Sequence, residues 1–199
     1  MPGADEGLLE AWRGGDTTAG TALFRTYFPS VRRFFVNKVP ERDVDDLLQR
    51  TFTAMVESRD RFRGDGPFRG FVFAIARRVL LRHLRDYARR DSKLDIDFSV
   101  SSLAEMNITP RTVIALQQDQ ETIRRALQRI PVQAQTMLEL SYWEELSHAE
   151  LAVILGIEPT TVRTRLFRAR KLLLGELVAS GLIDELAVDR AAELLGKRI

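Results

Sequence analysis

The chain has 199 residues, 45% of them apolar and eleven of them Phe, which is enough to fill one large or two small cores and excludes overall disorder. Thirty Lys and Arg against twenty-eight Asp and Glu give a formal charge of +2, so a case for nucleic-acid binding depends on where the charges lie. Cysteine is absent, which excludes disulfides and thiolate sites, and no apolar stretch approaches the roughly 18 residues that span a bilayer, so we expect a soluble, cytoplasmic protein without membrane insertion.

Apolar residues recur at helical spacing along almost the whole chain, and no segment alternates convincingly with the period of two that marks a strand. This pattern predicts an all-α protein made of two small helical domains joined by a flexible linker. Composition becomes Ser-rich and acidic after residue 92, which places the domains at 1–92 and 120–180, the linker at 93–119 and a C-terminal extension at 181–199. Helices are predicted near 6–13, 16–39, 43–61, 68–90, 117–129, 131–143, 147–155 and 159–180.

The first signal in chain order is the segment DVDDLLQRTFTAMVE at residues 43–57. Its early acids suit a helix N-terminus, and its outward polar row is a surface that a protein partner could bind. Both interpretations stay open, and Arg50 can also bridge to Asp46 one helical turn away. The predicted buried side is Val44, Leu48, Thr51, Phe52 and Met55, and the outward row is Asp46, Gln49, Arg50 and Thr53.

The second signal is a basic stripe in residues 61–90, where a Gly-rich turn precedes a long helix. Arg78, Arg82, Arg85 and Arg89 recur at helical spacing, which is typical of a track for nucleic-acid phosphates. An ordinary solvated charged face is the alternative. Aromatic residues near the turn either belong to the core or stack on unpaired bases. The apolar side is Phe68, Phe71, Ile75 and Val79.

The sharpest signal is a helix-turn-helix at residues 147–173. Ser147 and Glu150 have the spacing of a capping box, Gly156 suits a left-handed helix end, and Pro159 suits a first helical turn. The second helix therefore has the profile of a recognition helix, against the alternative of a helical hairpin with a solvated basic face. Its inward residues are Val162, Leu166, Ala169 and Leu173, and its outward residues are Thr160, Thr161, Arg163, Thr164, Phe167, Arg168 and Lys171.

The order of these signals resembles one family, the extracytoplasmic-function sigma factors of the sigma-70 superfamily. The resemblance rests on DVDDLLQRTF, on FRGFVFAIARRVLLRHLR and on IPVQAQTMLELSYWEELSHAELAVILGIEPTTVRTRLFRARKLL. It implies a factor that binds core RNA polymerase and directs promoter-specific initiation. The first domain would bind polymerase and melt the −10 element, and the second would read the −35 element as duplex.

The resemblance also implies roles for individual residues. The polymerase contacts would be Asp45, Asp46, Leu47, Gln49 and Arg50, and the −10 readers would be Phe68, Arg69, Arg77, Arg78, Arg82, Arg85 and Arg89. Two departures bear on these roles. The family usually has an acid where Arg50 stands and often an Asn where Arg78 stands. The acidic linker would thread the polymerase channels, where its negative charge could imitate nucleic acid.

A helix-turn-helix regulator that binds duplex DNA without joining polymerase is the competing hypothesis. An enzyme is not indicated, because the only histidines, His83 and His148, have no partner constellation, and Gly64 to Gly66 lacks the context of a phosphate loop. We therefore expect core RNA polymerase and promoter DNA as partners, with no cofactor, metal or small-molecule substrate. An anti-sigma factor is left open as a further partner. The extension at 181–199 is expected to be a short amphipathic helix that either packs on the second domain or regulates.

Overall fold

The computed structural model describes residues 4–62, 64, 66–90, 96–108 and 118–181. Within these ranges the chain is all-α, as predicted, and the helix ends agree with the predicted ones to within three residues. The predicted helix in the extension lies beyond residue 181, outside the described part. The helices are α1 Ala4–Arg13, α2 Thr17–Val36, α3 Glu41–Ser58, α4 Phe68–Arg90, α5 Gln118–Arg129, α6 Val132–Tyr142, α7 His148–Leu155 and α8 Pro159–Ala179.

The N-terminal domain is formed by α1 to α4. Asp16 caps α2, because its side chain accepts hydrogen bonds from the backbone N–H groups of Thr18 and Ala19 at 2.8 and 3.3 Å. Trp12 of α1 packs on Gly20 so closely that a Cβ there would lie 2.5 Å from the indole nitrogen. Gly20 therefore sets the approach of α1 to α2. The core includes Leu9, Leu23, Val31, Phe35, Val44, Leu48, Phe52, Phe73 and Leu80.

The C-terminal domain is formed by α5 to α8. Ser147 and Glu150 form the predicted capping box at the start of α7. Gly156 ends that helix with a φ of 65°, and Pro159 begins α8 three residues later. The apolar stripes of α7 and α8 then meet α5 and α6 in one core. It includes Ile123, Leu127, Leu138, Leu140, Leu151, Val162, Leu166, Ala169 and Leu173.

Part of the predicted linker, residues 96–108, packs against both domains. The Ser101 carbonyl accepts from the Val132 N–H at 3.0 Å, and the Phe98 carbonyl accepts from the Gln133 N–H at 3.1 Å, so the segment is pinned to the start of α6. Four of its apolar side chains are buried, whereas Val100 is exposed. The buried four are Phe98, Leu103, Met106 and Ile108.

The two domains contact each other directly. Helix α4 of the first domain packs on α7 of the second, and the end of α2 reaches α6. The two basic helices predicted to read DNA, α4 and α8, therefore lie in different surroundings, because α4 packs on the other domain. No helix in the described part of the chain is both long and apolar enough to cross a membrane.

Candidate nucleic-acid and polymerase interfaces

Helix α8, the predicted recognition helix, presents an exposed basic face. Arg163, Thr164, Phe167, Arg168 and Lys171 are exposed, and Phe167 has 66% of its surface accessible. Thr160 is exposed as well, and Thr161 is half-buried. Among the described residues no acid pairs with a basic side chain between positions 163 and 171. The face is therefore free to meet phosphates and base edges without breaking an existing ion pair.

The stripe on α4 is also exposed where it was predicted. Arg78, Arg82, Arg85 and Arg89 all face solvent. They run along eleven residues of helix, which corresponds to about 16 Å. Arg77 is half-buried, and burial lowers its pKa, as does the charge of Arg85. Arg77 is therefore less accessible to a bound strand than the four exposed arginines of the stripe.

The aromatic residues before and within the start of α4 form a cluster. The Phe68 ring lies 5.7 Å from those of both Phe62 and Phe71 and 5.8 Å from that of Tyr27. Phe68 is completely buried, so its predicted role as a −10 reader is corrected to a core role in this conformation. Phe62 and Phe71 are half-buried and remain accessible at the edge of the cluster.

The outward row of α3 is available for a partner. Asp45, Asp46, Gln49 and Arg50 are exposed. Arg50 forms the expected bridge one turn back, with 2.9 Å between Nε and an Asp46 carboxylate oxygen. Leu47, in contrast, is fully buried, so the expectation that it contacts polymerase is corrected to a core role. Its position in the helix points it towards α2 and α4 with the other apolar residues of α3.

Sequence reasoning missed the ion pairs between the domains. Arg69 of α4 donates to both carboxylate oxygens of Glu150, at 3.0 Å for the Nη2 bond, and Arg33 of α2 donates to Glu144. Lys38 donates to Glu139 of α6. The partners lie 81 to 111 residues apart in sequence, so no local pattern could have revealed them.

The Lys38–Glu139 pair is fully buried, with 0% and 3% of the two side chains exposed. Burial lowers the pKa of Lys38 and raises the pKa of Glu139, which means that the interior disfavours both charges. Gln135 donates to Glu139 at 2.8 Å and to the Asn37 carbonyl at 3.3 Å. Asn37 Nδ2 and Gln135 Oε1 are buried without hydrogen-bond partners in the described structure, at a cost of about 1–3 kcal/mol each.

Family comparisons agree with this division into two domains. The family model for sigma-70 region 2 matches residues 23–90, and that for sigma-70 region 4 matches residues 120–173. Together they cover more than half of the chain. Two helical domains with these matches define a sigma factor, and a helix-turn-helix regulator that acts apart from polymerase is not favoured.

Individual relatives point the same way. The chain is 28% identical over 174 residues to the ECF RNA polymerase sigma-E factors of Salmonella typhimurium and Escherichia coli, covering 84% of this chain and 91% of each relative. It is 26% identical over 175 residues to that of Haemophilus influenzae, covering 85% of this chain and 93% of the relative. The chain belongs to the extracytoplasmic-function group of the sigma-70 family, whose members are regulatory proteins rather than enzymes.

Solved structures share the fold. CnrH in complex with the cytosolic domain of CnrY superposes with a TM-score of 0.64 at 24% identity, covering 89% of this chain and 99% of that one. The sigma factor RpoE of Bartonella quintana, in complex with the anti-sigma factor NepR, gives a TM-score of 0.60 at 22% identity over 79% and 95% of the two chains.

Proposed function

We propose that this chain binds core RNA polymerase through α3, opens and holds the −10 element along α4, and reads the −35 element with α8. The observation that carries this proposal is the pair of exposed basic faces on two separate domains. Apart from Arg69, which pairs with Glu150, no basic residue predicted to contact DNA on either face pairs with an acid among the described residues. One face suits a flexible single strand, and the other suits the major groove.

Within α8 the residues divide by position. Arg163 and Thr164 lie near the start of the helix, which enters the groove first, so they contact base edges and specify sequence. Arg168, Arg170 and Lys171 lie further along and contact phosphates, which fixes the register without selecting a sequence.

Within the N-terminal domain, Arg82, Arg85 and Arg89 form the phosphate track of the −10 strand. The half-buried rings of Phe62 and Phe71 lie at the start of this track, where an unstacked base could pack on them. Phe62 was not among the predicted −10 readers. Its place in the aromatic cluster supports adding it.

The polymerase contact is assigned to the α3 row of Asp45, Asp46, Gln49 and Arg50. The row is polar, exposed and lies on a helix other than α4, so polymerase and DNA can be bound at the same time. We place this action in the cytoplasm, where polymerase and promoters are found. The similarity to the sigma factor RpoE, solved in complex with the anti-sigma factor NepR, supports an anti-sigma factor as a further partner.

Two linked experiments test the proposed function. The full chain should copurify with core RNA polymerase, and the reconstituted enzyme should start transcription from a subset of a randomised promoter library. Selected promoters should share two elements, one for each domain. A chain that binds duplex DNA but neither copurifies with polymerase nor supports transcription would instead be a regulator that acts without polymerase.

A further inference from the structure

Helix α1 contains none of the residues proposed to contact DNA or polymerase, yet it holds the turn that leads towards α4. This turn is a short 3-10 helix at Arg59–Arg61 followed by Phe62. Arg13, the last residue of α1, donates from Nε and Nη2 to the Arg59 carbonyl at 3.1 and 2.6 Å. Its Nη2 also donates to the Phe62 carbonyl. One side chain of α1 therefore binds both ends of the turn.

The guanidinium of Arg13 forms hydrogen bonds from all three of its nitrogen atoms. Nη1 donates to Glu10 at 2.6 Å, one turn back in α1, which orients the group towards the turn. Within the turn the Arg59 carbonyl accepts a long bond from the Phe62 N–H at 3.4 Å, so the shorter bonds from the charged Arg13 hold it more firmly. Only 23% of the Arg13 side chain is exposed, so water competes for these bonds less than at an open surface.

Packing at the same junction restricts the turn further. The Arg59 guanidinium lies 4.9 Å from the centre of the Trp12 ring, close enough for a cation–π attraction. Trp12 is itself buried against Gly20, where a Cβ would clash with the indole. The turn is therefore fixed to α1 by its backbone, through Arg13, and by a side chain, through Trp12.

The other end of α1 supports the aromatic cluster at the start of α4. The Tyr27 hydroxyl donates to Asp5, and burial and this carboxylate both raise the pKa of Tyr27, so the hydroxyl keeps its proton and remains a donor. The Tyr27 ring packs edge-on against Phe68 at 5.8 Å. Helix α1 therefore supports the cluster from two sides.

Phe62 is the point at which this support reaches the proposed DNA site. Its half-buried ring lies 5.1 Å from that of Phe71 and 5.7 Å from that of the fully buried Phe68. Its carbonyl is held by Arg13, so the ring and the backbone each have a fixed support. A binding site keeps its geometry to within about 0.5 Å only when residues behind the contacting side chains lock them in place.

We propose that Arg13 is a positioning residue for −10 recognition, because it fixes the turn so that the Phe62 ring is held where an unpaired base of the −10 element stacks. The inference rests on the proposed function and adds to it a residue that itself contacts neither DNA nor polymerase. Loss of Arg13 should weaken the contribution of the stacked base and leave binding to polymerase intact.

An abasic scan of the −10 element tests the proposal on the full chain bound to core polymerase. Each −10 nucleotide of either strand of a selected promoter is replaced in turn by an abasic site, and the affinity of the holoenzyme is measured. The affinity for the intact promoter divided by that for the abasic one gives the contribution of each base. This ratio does not depend on the fraction of active protein, so a loss of folded chain leaves it unchanged.

We expect Phe62→Ala to lower this ratio at least about fivefold at one −10 position, since stacking on a ring contributes about that much or more per base. Arg13→Ala should lower the ratio at the same position by at least about threefold, and the double variant should lower it no further than Phe62→Ala alone. Arg13→Lys, which keeps the charge but lacks the planar fork, should fall between wild type and Arg13→Ala.

The matched control is Arg32→Ala. Arg32 is also half-buried and pairs with Glu41 between α2 and α3 of the same domain, away from the turn. Its loss should leave every ratio at the wild-type value. Urea unfolding of each variant shows that it is folded, and Arg13→Lys takes the place of Arg13→Ala if the latter lacks a folding transition.

The outcomes separate this inference from the proposed function. If Phe62→Ala lowered one ratio while Arg13→Ala and Arg13→Lys changed none, Phe62 would remain a −10 reader and Arg13 would be a structural residue only. Additive effects of Arg13→Ala and Phe62→Ala would also overturn the inference, because Arg13 would then act apart from Phe62. If Phe62→Ala and Phe71→Ala both left all ratios unchanged, the stacking site of the proposed function would be wrong, and the role of Arg13 would fail with it.

Discussion

Arg69 and Glu150 join α4 to the helix-turn-helix, because the Glu150 carboxylate takes part both in the capping box of α7 and in the ion pair with Arg69. Glu150 accepts from the Ser147 backbone N–H at 2.8 Å to complete the capping box of α7, and its oxygens also accept from Arg69. Burial alone would raise the pKa of Glu150, but the hydrogen bonds from Arg69 and Ser147 outweigh it and hold the pKa below its ordinary value of 4.5. The fold of one domain and its contact with the other thus depend on one side chain.

Two variants at this site separate the cap from the ion pair. Ser147→Ala should lower the free energy of unfolding by about 1 kcal/mol, which is typical of a lost N-cap. Glu150→Ala should cost about 2 kcal/mol, since Arg69 also loses its partner. Because the pKa of Glu150 is lowered on folding, its contribution is complete above pH 4.5 and is lost as the pH falls below that value. Urea unfolding measures the free energy of unfolding of both variants. An equal loss in the two would show that the ion pair with Arg69 adds no stability.

His83 makes the N-terminal domain sensitive to mild acid. It lies 3.7 Å from Asp43, and burial lowers its pKa below 6.5, although the Asp43 charge opposes this. The unfolded chain therefore binds the proton more readily, so stability is complete above about pH 6.5 and declines as the pH falls through the lowered pKa. Urea midpoints at about pH 7.5 and about pH 5.5 should differ less in His83→Gln than in the wild type, while exposed His148→Gln should behave as the wild type does.

The phosphate track predicts a change in salt dependence. Arg82→Ala, Arg85→Ala and Arg89→Ala together should weaken open-complex formation and make its dependence on salt shallower by roughly one unit per lost contact. The matched control replaces three exposed arginines outside the track, Arg25, Arg42 and Arg125, and should leave the slope unchanged. The same slope for both triple variants would contradict the track.

In α8, base contacts and phosphate contacts should respond differently to promoter sequence. Arg163→Ala should cost about 1–3 kcal/mol on a preferred −35 sequence and relax the preference at the base it contacts. Lys171→Ala should weaken binding to all sequences alike, because a phosphate contact carries no sequence information. Affinities for a set of single-base −35 variants decide between these patterns. If Arg163→Ala weakened binding to every variant equally, Arg163 would contact a DNA phosphate and not a base.

The α3 row predicts slower association with polymerase. Asp46→Lys leaves the buried side of α3 intact and loses only the exposed bridge to Arg50, so the fold should retain its stability to within about 0.5 kcal/mol. Association with core polymerase should slow, since complementary charge mainly sets the rate of encounter. Glu57→Lys, an exposed reversal further along α3, is the control. Equal association rates for Asp46→Lys, Glu57→Lys and the wild type would remove the row from the interface.

The sequence by itself determined the local architecture of this protein. Helix ends, the Ser147 capping box, the Gly156 helix stop and the buried stripe of α8 all follow from interactions within three or four residues. The same short-range periodicity placed the stripe from Arg78 to Arg89 on one exposed face. These features are predictable because helix formation sets which side each residue faces.

Only the tertiary structure decided which residues the rest of the chain covers. Leu47 was predicted to contact polymerase and Phe68 to contact DNA. Both are fully buried instead, because α2 and the aromatic cluster cover them. Lys38 is buried against Glu139, a partner 101 positions away, and Arg69 is held by Glu150 at a separation of 81. Such pairings depend on how two finished domains dock, and docking is set by shape and charge summed over whole surfaces, which no short sequence pattern encodes.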